Sequence, residues 1–233
     1  MHAPDSDVFS RHALQLRAHG LAVLPTNIPD KKPLIKGWRR WRWPPSEKTV
    51  VQMAQRFPYA NVAILPGPSG LWIADVDSAD HVKEVEKLLG QTPLRVLTSR
   101  GQHLYYRAPQ NCSGLPENLR AFGLEVDLKA GNSVVIVPPS RHHNGCFYRH
   151  EDCDWGALER LPEPNFARLR GLLSKKNDDR LTYTGRVPEG WRGLTLNDLL
   201  CRDAAYVESF EELLDVGRTL NEDGCSRSLA MLR

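Results

Sequence analysis

The chain has 233 residues, 41% hydrophobic and 25% charged, with a formal net charge of +3; this is the make-up of a soluble globule with one sizeable domain and an appendage. No run approaches the roughly 20 apolar residues that a membrane helix needs, and the N-terminus lacks the basic-then-apolar layout of a secretory leader, so a cytoplasmic location without membrane contact is expected. Five cysteines without framework spacing fit a reducing compartment rather than a disulfide scaffold, and the charge excess is too small to announce a nucleic-acid partner by itself.

Residues 6–19 have the pattern of an amphipathic helix closed by Gly20, and a short strand at 21–24 follows. Residues 31–43 form a basic loop in which Lys31, Lys32, Lys36, Arg39, Arg40 and Arg42 are interleaved with Trp38, Trp41 and Trp43. Cations that track phosphate beside aromatics that stack on bases make a surface for single-stranded DNA. The competing reading has Trp38 and Trp41 plugging the core while the cations merely solvate the loop. A helix over 47–57 is stopped by Pro58. Apolar runs at 62–65 and 71–76 flank the turn Pro66-Gly-Pro-Ser-Gly70. A charged helix over 78–89 ends at Gly90. Strands near 95–97, 103–107, 124–128 and 134–137 complete a sheet of five or more members, with 146–149 as a candidate edge. Strands with only two or three interspersed helices argue for a mixed α+β domain over a doubly wound parallel fold.

After about residue 164 the texture becomes helical, over 167–176 and 194–220, joined by the polar stretch 177–193. The expected division is a larger domain over 1–165 and a helical appendage over 166–233. Residues 225–233 begin another helix-like pattern and stop, which fits either a chain end or a cut in a longer protein.

Three segments carry chemistry: Leu71-Trp-Ile-Ala-Asp75-Val-Asp77, Thr98-Ser-Arg-Gly-Gln-His103-Leu-Tyr-Tyr-Arg107, and Gly123-Leu-Glu-Val-Asp127-Leu-Lys129. Side chains alternate along a strand, so Asp75 and Asp77 point to one side, about 7 Å apart. Two carboxylates at that spacing can share divalent cations, which favour hard oxygen ligands. In the third segment Leu124, Val126 and Leu128 form the apolar face and turn Glu125 and Asp127 outward. Three acids converging on one sheet face are costly without metal, and the implied chemistry is phosphoryl transfer by two metal ions, Mg²⁺ or Mn²⁺.

These segments resemble the three motifs of the archaeo-eukaryotic primase superfamily, and in particular its bifunctional primase-polymerase (prim-pol) branch. Gly20-Leu-Ala-Val-Leu-Pro25, Lys32-Pro33, Gly37-Trp38, Ala60-Asn-Val-Ala-Ile64 and Val137-Pro-Pro-Ser140 follow in the order that branch shows. The resemblance implies a catalytic sheet like the RNA-recognition fold, joined to a small N-terminal α/β unit. It implies a nucleotidyltransferase that extends and initiates strands on a single-stranded DNA template, with NTP or dNTP as substrate and a helicase fused or in trans. Val187-Pro-Glu-Gly-Trp-Arg-Gly-Leu-Thr-Leu196 is similar to the start of the helical module that often follows such domains.

Mapped onto this chain, the resemblance makes Asp75, Asp77 and Asp127 the metal ligands, with His103 in the nucleotide site. Gly101 permits a tight turn so that backbone and His103 approach phosphate, and Arg100 offers bidentate contacts. Lys129, two residues past Asp127, and Ser140, at the end of a strand, are further candidate phosphate contacts, the serine against a plain turn role. His142, His143, Cys146, His150 and Cys153 match no familiar zinc spacing, and a structural zinc is not expected. Two other readings stay open on the residues alone: a single-strand-binding replication initiator with a vestigial site, and a metal-dependent nuclease.

Overall fold

The computed structural model describes residues 7–109 and 116–181. The chain divides between Arg168 and Leu169 into two units. Of the second unit only residues up to 181 are described, in a helix, α4, that runs Phe166–Leu181; the expected helix at 194–220, the segment 187–196 and the pattern at 225–233 lie outside the described residues. No described helix is long and apolar enough to cross a membrane.

The first unit is α+β and holds two antiparallel sheets where the sequence reading expects one. The smaller sheet has strand order β1-β2-β7, made of Val23–Thr26, Asn61–Ile64 and Val135–Ile136. Two helices accompany it. The first, α1 (Val8–Ala18), buries Phe9, Ala13 and Leu16 from one face and ends where Gly20 adopts φ 82°, the left-handed conformation that glycine takes without penalty. The second, α2 (Glu47–Arg56), starts at Ser46, whose hydroxyl accepts the Thr49 N–H at 3.2 Å, and buries Val50, Met53 and Ala54.

After β2 a 3₁₀ turn at Gly67–Ser69 and a left-handed Gly70 redirect the chain, so the next strand starts a second sheet. Its order is β6-β3-β5-β4-β8, with β3 Leu71–Val76, β4 Arg95–Leu97, β5 Gln102–Arg107, β6 Val126–Lys129 and β8 Arg149–His150. The run at 134–137 therefore leaves this sheet and returns to the smaller one, where Val135 and Ile136 pair with β2. The charged segment 78–89 is a 3₁₀ turn, Ala79–His81, followed by α3, Val82–Leu89.

Each face of the larger sheet is buried differently. Ile73, Val96 and Tyr105 join the core formed with β1, β2 and α1. On the opposite face Trp72 packs edge-on to Tyr106 at 6.0 Å and to Phe166 at 5.5 Å. The Tyr106 hydroxyl donates to Gly90 O at 2.7 Å, tying that face to the end of α3.

Candidate active site

The three chemistry-bearing segments are brought together by strand register. Asp75 stands opposite His103 on β5 and opposite Asp127 on β6. Directly opposed residues in a sheet project from the same face, so Asp127, Asp75 and His103 form a row across three strands. Asp77 lies two residues on, where its N–H donates to Glu125 O at 2.8 Å and prolongs the pairing. Lys129 shares the face with Asp127 and opposes Ile73. The turn from β4 to β5 closes over the end of β3. A side-chain carbon on Gly101 would stand 1.9 Å from Val76 O, which leaves room only for glycine.

Basic side chains crowd the acids. His103 Nε2 lies 3.2 Å from Asp75 Oδ1. Lys129 Nζ is 2.7 Å from Asp127 Oδ2 and 4.0 Å from Asp75 Oδ2. Arg120, from a 3₁₀ turn at Arg120–Phe122, bridges Asp127 and Asp77, the latter at 3.2 Å. Arg100 approaches Asp77 from the other side at 3.6 Å. Burial raises the carboxyl pKa of Asp75, but the charge and hydrogen bond of His103, with Lys129 and Lys31, outweigh it and hold the group at about 2. For Asp127 burial likewise opposes ionisation, and hydrogen bonds from Lys129 and Arg120 prevail to lower its pKa. Both are anionic at neutral pH. Among the described residues no three His, Cys, Asp or Glu side chains are grouped to hold a metal ion as they stand; at the carboxylates, a guanidinium spans two of them.

Two clefts flank the row. One, about 410 Å³, is lined by Lys31, Asp75, Asp77, Arg100, His103, His142, His143 and Tyr148. Lys31 reaches it from the basic loop with φ 57°, a left-handed conformation that a lysine rarely takes. His142 and His143, with ring centres 4.0 Å apart, come from a turn closed by the Arg141–Phe147 bridge. The His142 pKa is lowered chiefly by burial, with Lys31, His143 and Arg100 adding to the effect against a hydrogen bond to Asn144. The other cleft, about 460 Å³, runs along β6 past Asn118, Arg120, Asp127, Lys129 and Ser133.

The expected site residues therefore separate. Arg100 and His103 share the first cleft with Asp75 and Asp77, and Lys31, grouped by sequence with the DNA-binding cations, belongs there too. Lys129 accompanies Asp127 in the second. Lys36, Arg39, Arg40 and Arg42 are exposed, with Arg39 over the Trp38 ring at 4.8 Å, while Lys32 pairs with Asp30 at 2.5 Å. Trp38 and Trp41 pack partly against the core; Trp43 is 80% exposed.

Ser140 is a correction. It is fully buried, and its hydroxyl accepts the Val62 N–H at 2.9 Å and donates to Val62 O at 3.0 Å, so it fastens the chain beyond β7 to β2 and faces neither cleft. Arg120 went unnoticed in the sequence because it sits in an irregular turn with no periodic signal. In the sequence His142 and His143 suggest only metal ligands, although paired histidines beside a strand end also suit an anion.

The family model described as bifunctional DNA primase/polymerase, N-terminal, matches residues 13–164. The chain belongs to the prim-pol family. No curated protein matches it. The prim-pol match takes in every strand of both sheets, the acidic row and both clefts. Membership makes the domain a nucleotidyltransferase of the primase/polymerase type, with DNA and nucleotides as its substrates.

Proposed function

We propose that this prim-pol domain extends DNA strands on a single-stranded template, and initiates them, by attack of a 3′-hydroxyl on the α-phosphate of an incoming nucleoside triphosphate, which breaks the α–β phosphoanhydride bond and releases pyrophosphate. The observation that supports this reading above all is the row Asp127–Asp75–His103, which aligns three motifs from distant parts of the sequence on one sheet face. Asp75, Asp77 and Asp127 would hold two Mg²⁺ or Mn²⁺ ions; their hard oxygen donors fit such cations, provided Arg120 withdraws from Asp77 and Asp127. When bound, the ions neutralise the triphosphate and make the 3′-hydroxyl a better nucleophile.

The protein groups divide the remaining work. His103, with Nε2 on Asp75 and a ring almost wholly buried, holds that carboxylate in place at the floor of the nucleotide cleft. Lys31, Arg100, His142 and His143 surround the same cleft and receive the triphosphate, Arg100 through bidentate contacts and Lys31 as a point charge. Lys129 keeps Asp127 ionised and oriented. The exposed Arg39, Arg40, Arg42 and Lys36, with Trp43, bind single-stranded DNA.

Incubation with an unprimed single-stranded template, both nucleotide types and Mn²⁺ should give products longer than two nucleotides, absent with Asp75→Ala or Asp127→Ala. Incorporation by either variant at the wild-type rate would refute the assignment. Degradation of the template with the nucleotides untouched would establish a nuclease instead.

A further inference from the structure

The cleft along β6 is the larger of the two, and the nucleotide reading leaves it without an occupant. Its cationic and hydrogen-bonding groups are Arg120, Lys129, Asn118 and Ser133; Glu117 and Asp127, the latter a member of the acidic row, are its acids, and Trp72, Pro116 and Leu128 are apolar lining.

The turn that supplies Ala130 and Ser133 to its lining is hydrogen-bonded to the basic loop through the Asn132 side chain. The Asn132 amide donates to the carbonyl oxygens of Trp38 at 3.3 Å, Arg39 at 2.7 Å and Trp41 at 3.1 Å. Those are carbonyls of the 3₁₀ turn Trp38–Arg40 and of the residue after it; Trp38 O also accepts the Trp41 N–H within the turn, at 3.0 Å. Asn132 sits in the turn between β6 and β7, and its neighbours Ala130 and Ser133 line the cleft.

The turn itself is braced. Ser133 donates through Oγ to Ala130 O at 2.8 Å, and Gly67 N–H donates to Gly131 O at 2.7 Å. A side-chain carbon on Gly67 would meet the Gly131 backbone at 2.7 Å, so the two segments touch main chain to main chain. With Trp38 and Trp41 turned partly into the core, the loop is left to present Arg39, Arg40, Arg42 and the exposed Trp43 outward.

We infer that the loop and the β6 cleft form one continuous track for a single nucleic-acid strand, whose 3′-terminal nucleotide sits in the cleft beside Asp127. Asn132 is the positioning residue that joins the two halves. The chemistry suits that occupant: an exposed indole among guanidiniums stacks on an unpaired base, and cations follow the phosphates inward. This rests on the nucleotidyltransferase reading and adds where the growing end lies, on the opposite side of the row from Lys31, Arg100 and the histidine pair.

The test uses the full chain and an oligodeoxynucleotide with a photoreactive 4-thiothymidine at its 3′ end. Crosslinks within residues 116–133 are expected. Crosslinks confined to Lys31, Arg100 or 142–144 overturn the inference. Alongside, Asn132→Ala should weaken oligonucleotide binding about tenfold and flatten its salt dependence as the loop arginines lose their setting, while Mn²⁺-dependent nucleotide binding stays at the wild-type level. Oligonucleotide binding and salt slope unchanged in Asn132→Ala would also overturn it. If that variant fails to fold, the crosslinks on the wild-type chain decide alone. Failure of the wild-type chain to bind any oligonucleotide would bring down the underlying reading as well, which separates the two outcomes.

Discussion

Gly101→Ala probes the contact on which the site's shape depends. A side-chain carbon there would lie 1.9 Å from Val76 O and 2.9 Å from its carbonyl carbon, whereas real side-chain carbons keep beyond 3.0 Å. Both obstacles are main chain, so no rotamer relieves them, and either the β4–β5 turn or the end of β3 must retreat by roughly an ångström. Overpacking costs about 1–3 kcal/mol, and a rigid backbone on both sides places this substitution near about 3 kcal/mol. For a domain of this size each kcal/mol lowers Tm by about 2–4 °C, which gives a fall of roughly 6–12 °C. Val76 lies between Asp75 and Asp77, so the retreat also tilts those carboxylates away from Asp127. Thermal melting and calorimetric titration with Mn²⁺ and a non-hydrolysable nucleotide should show the lowered Tm together with nucleotide binding weakened about tenfold or more, a loss of roughly 1.4 kcal/mol. A variant that melts with the wild type would refute the reasoning, since the steric contact would then have no consequence.

Ser140→Ala should lose about 1–3 kcal/mol in urea unfolding, because the Val62 N–H loses its hydroxyl acceptor in a buried place while Val62 O keeps only the Val137 N–H, with the nucleotide KM unmoved; a raised KM at wild-type stability would make Ser140 a phosphate contact after all. Asp75 has a folded-state pKa of about 2 against an ordinary 3.8, so its contribution is complete above about pH 4 and disappears as pH falls through about 2. The stability difference between wild type and Asp75→Asn should therefore shift by about 2 kcal/mol between pH 5 and pH 2, and a difference independent of pH would contradict the pairing with His103. Arg120→Gln removes the cation that bridges Asp77 and Asp127, and electron paramagnetic resonance of free Mn²⁺ should show binding tightened about fivefold; weaker binding would mean that Arg120 supports the ions instead of competing with them.

The strands were legible wherever apolar and polar residues alternate, and so was the shared side of Asp75 and Asp77, since both follow from a period of two. Register was not. Nothing local says that Asp75 faces His103 on one neighbour and Asp127 on the other; that match is set by the turn at Gly101 and by the length of chain before β6. The division into two sheets was hidden for a similar reason, because Val135 and Ile136 read alike whichever strand they join. Ser140 misled because a hydroxyl at a strand end looks the same whether it meets phosphate or the backbone of Val62. Arg120, Asn132 and the His142–His143 pair act from turns, where side-chain direction depends on tertiary packing and leaves no pattern along the chain.

The acidic row exists only by parity. Loss of one residue inside β6 ahead of Asp127 would carry every following side chain to the opposite surface, delivering Leu128 to the catalytic edge and driving a carboxylate among apolar groups. Length changes that this domain can absorb must therefore fall in its connecting turns, or come in even numbers within a strand.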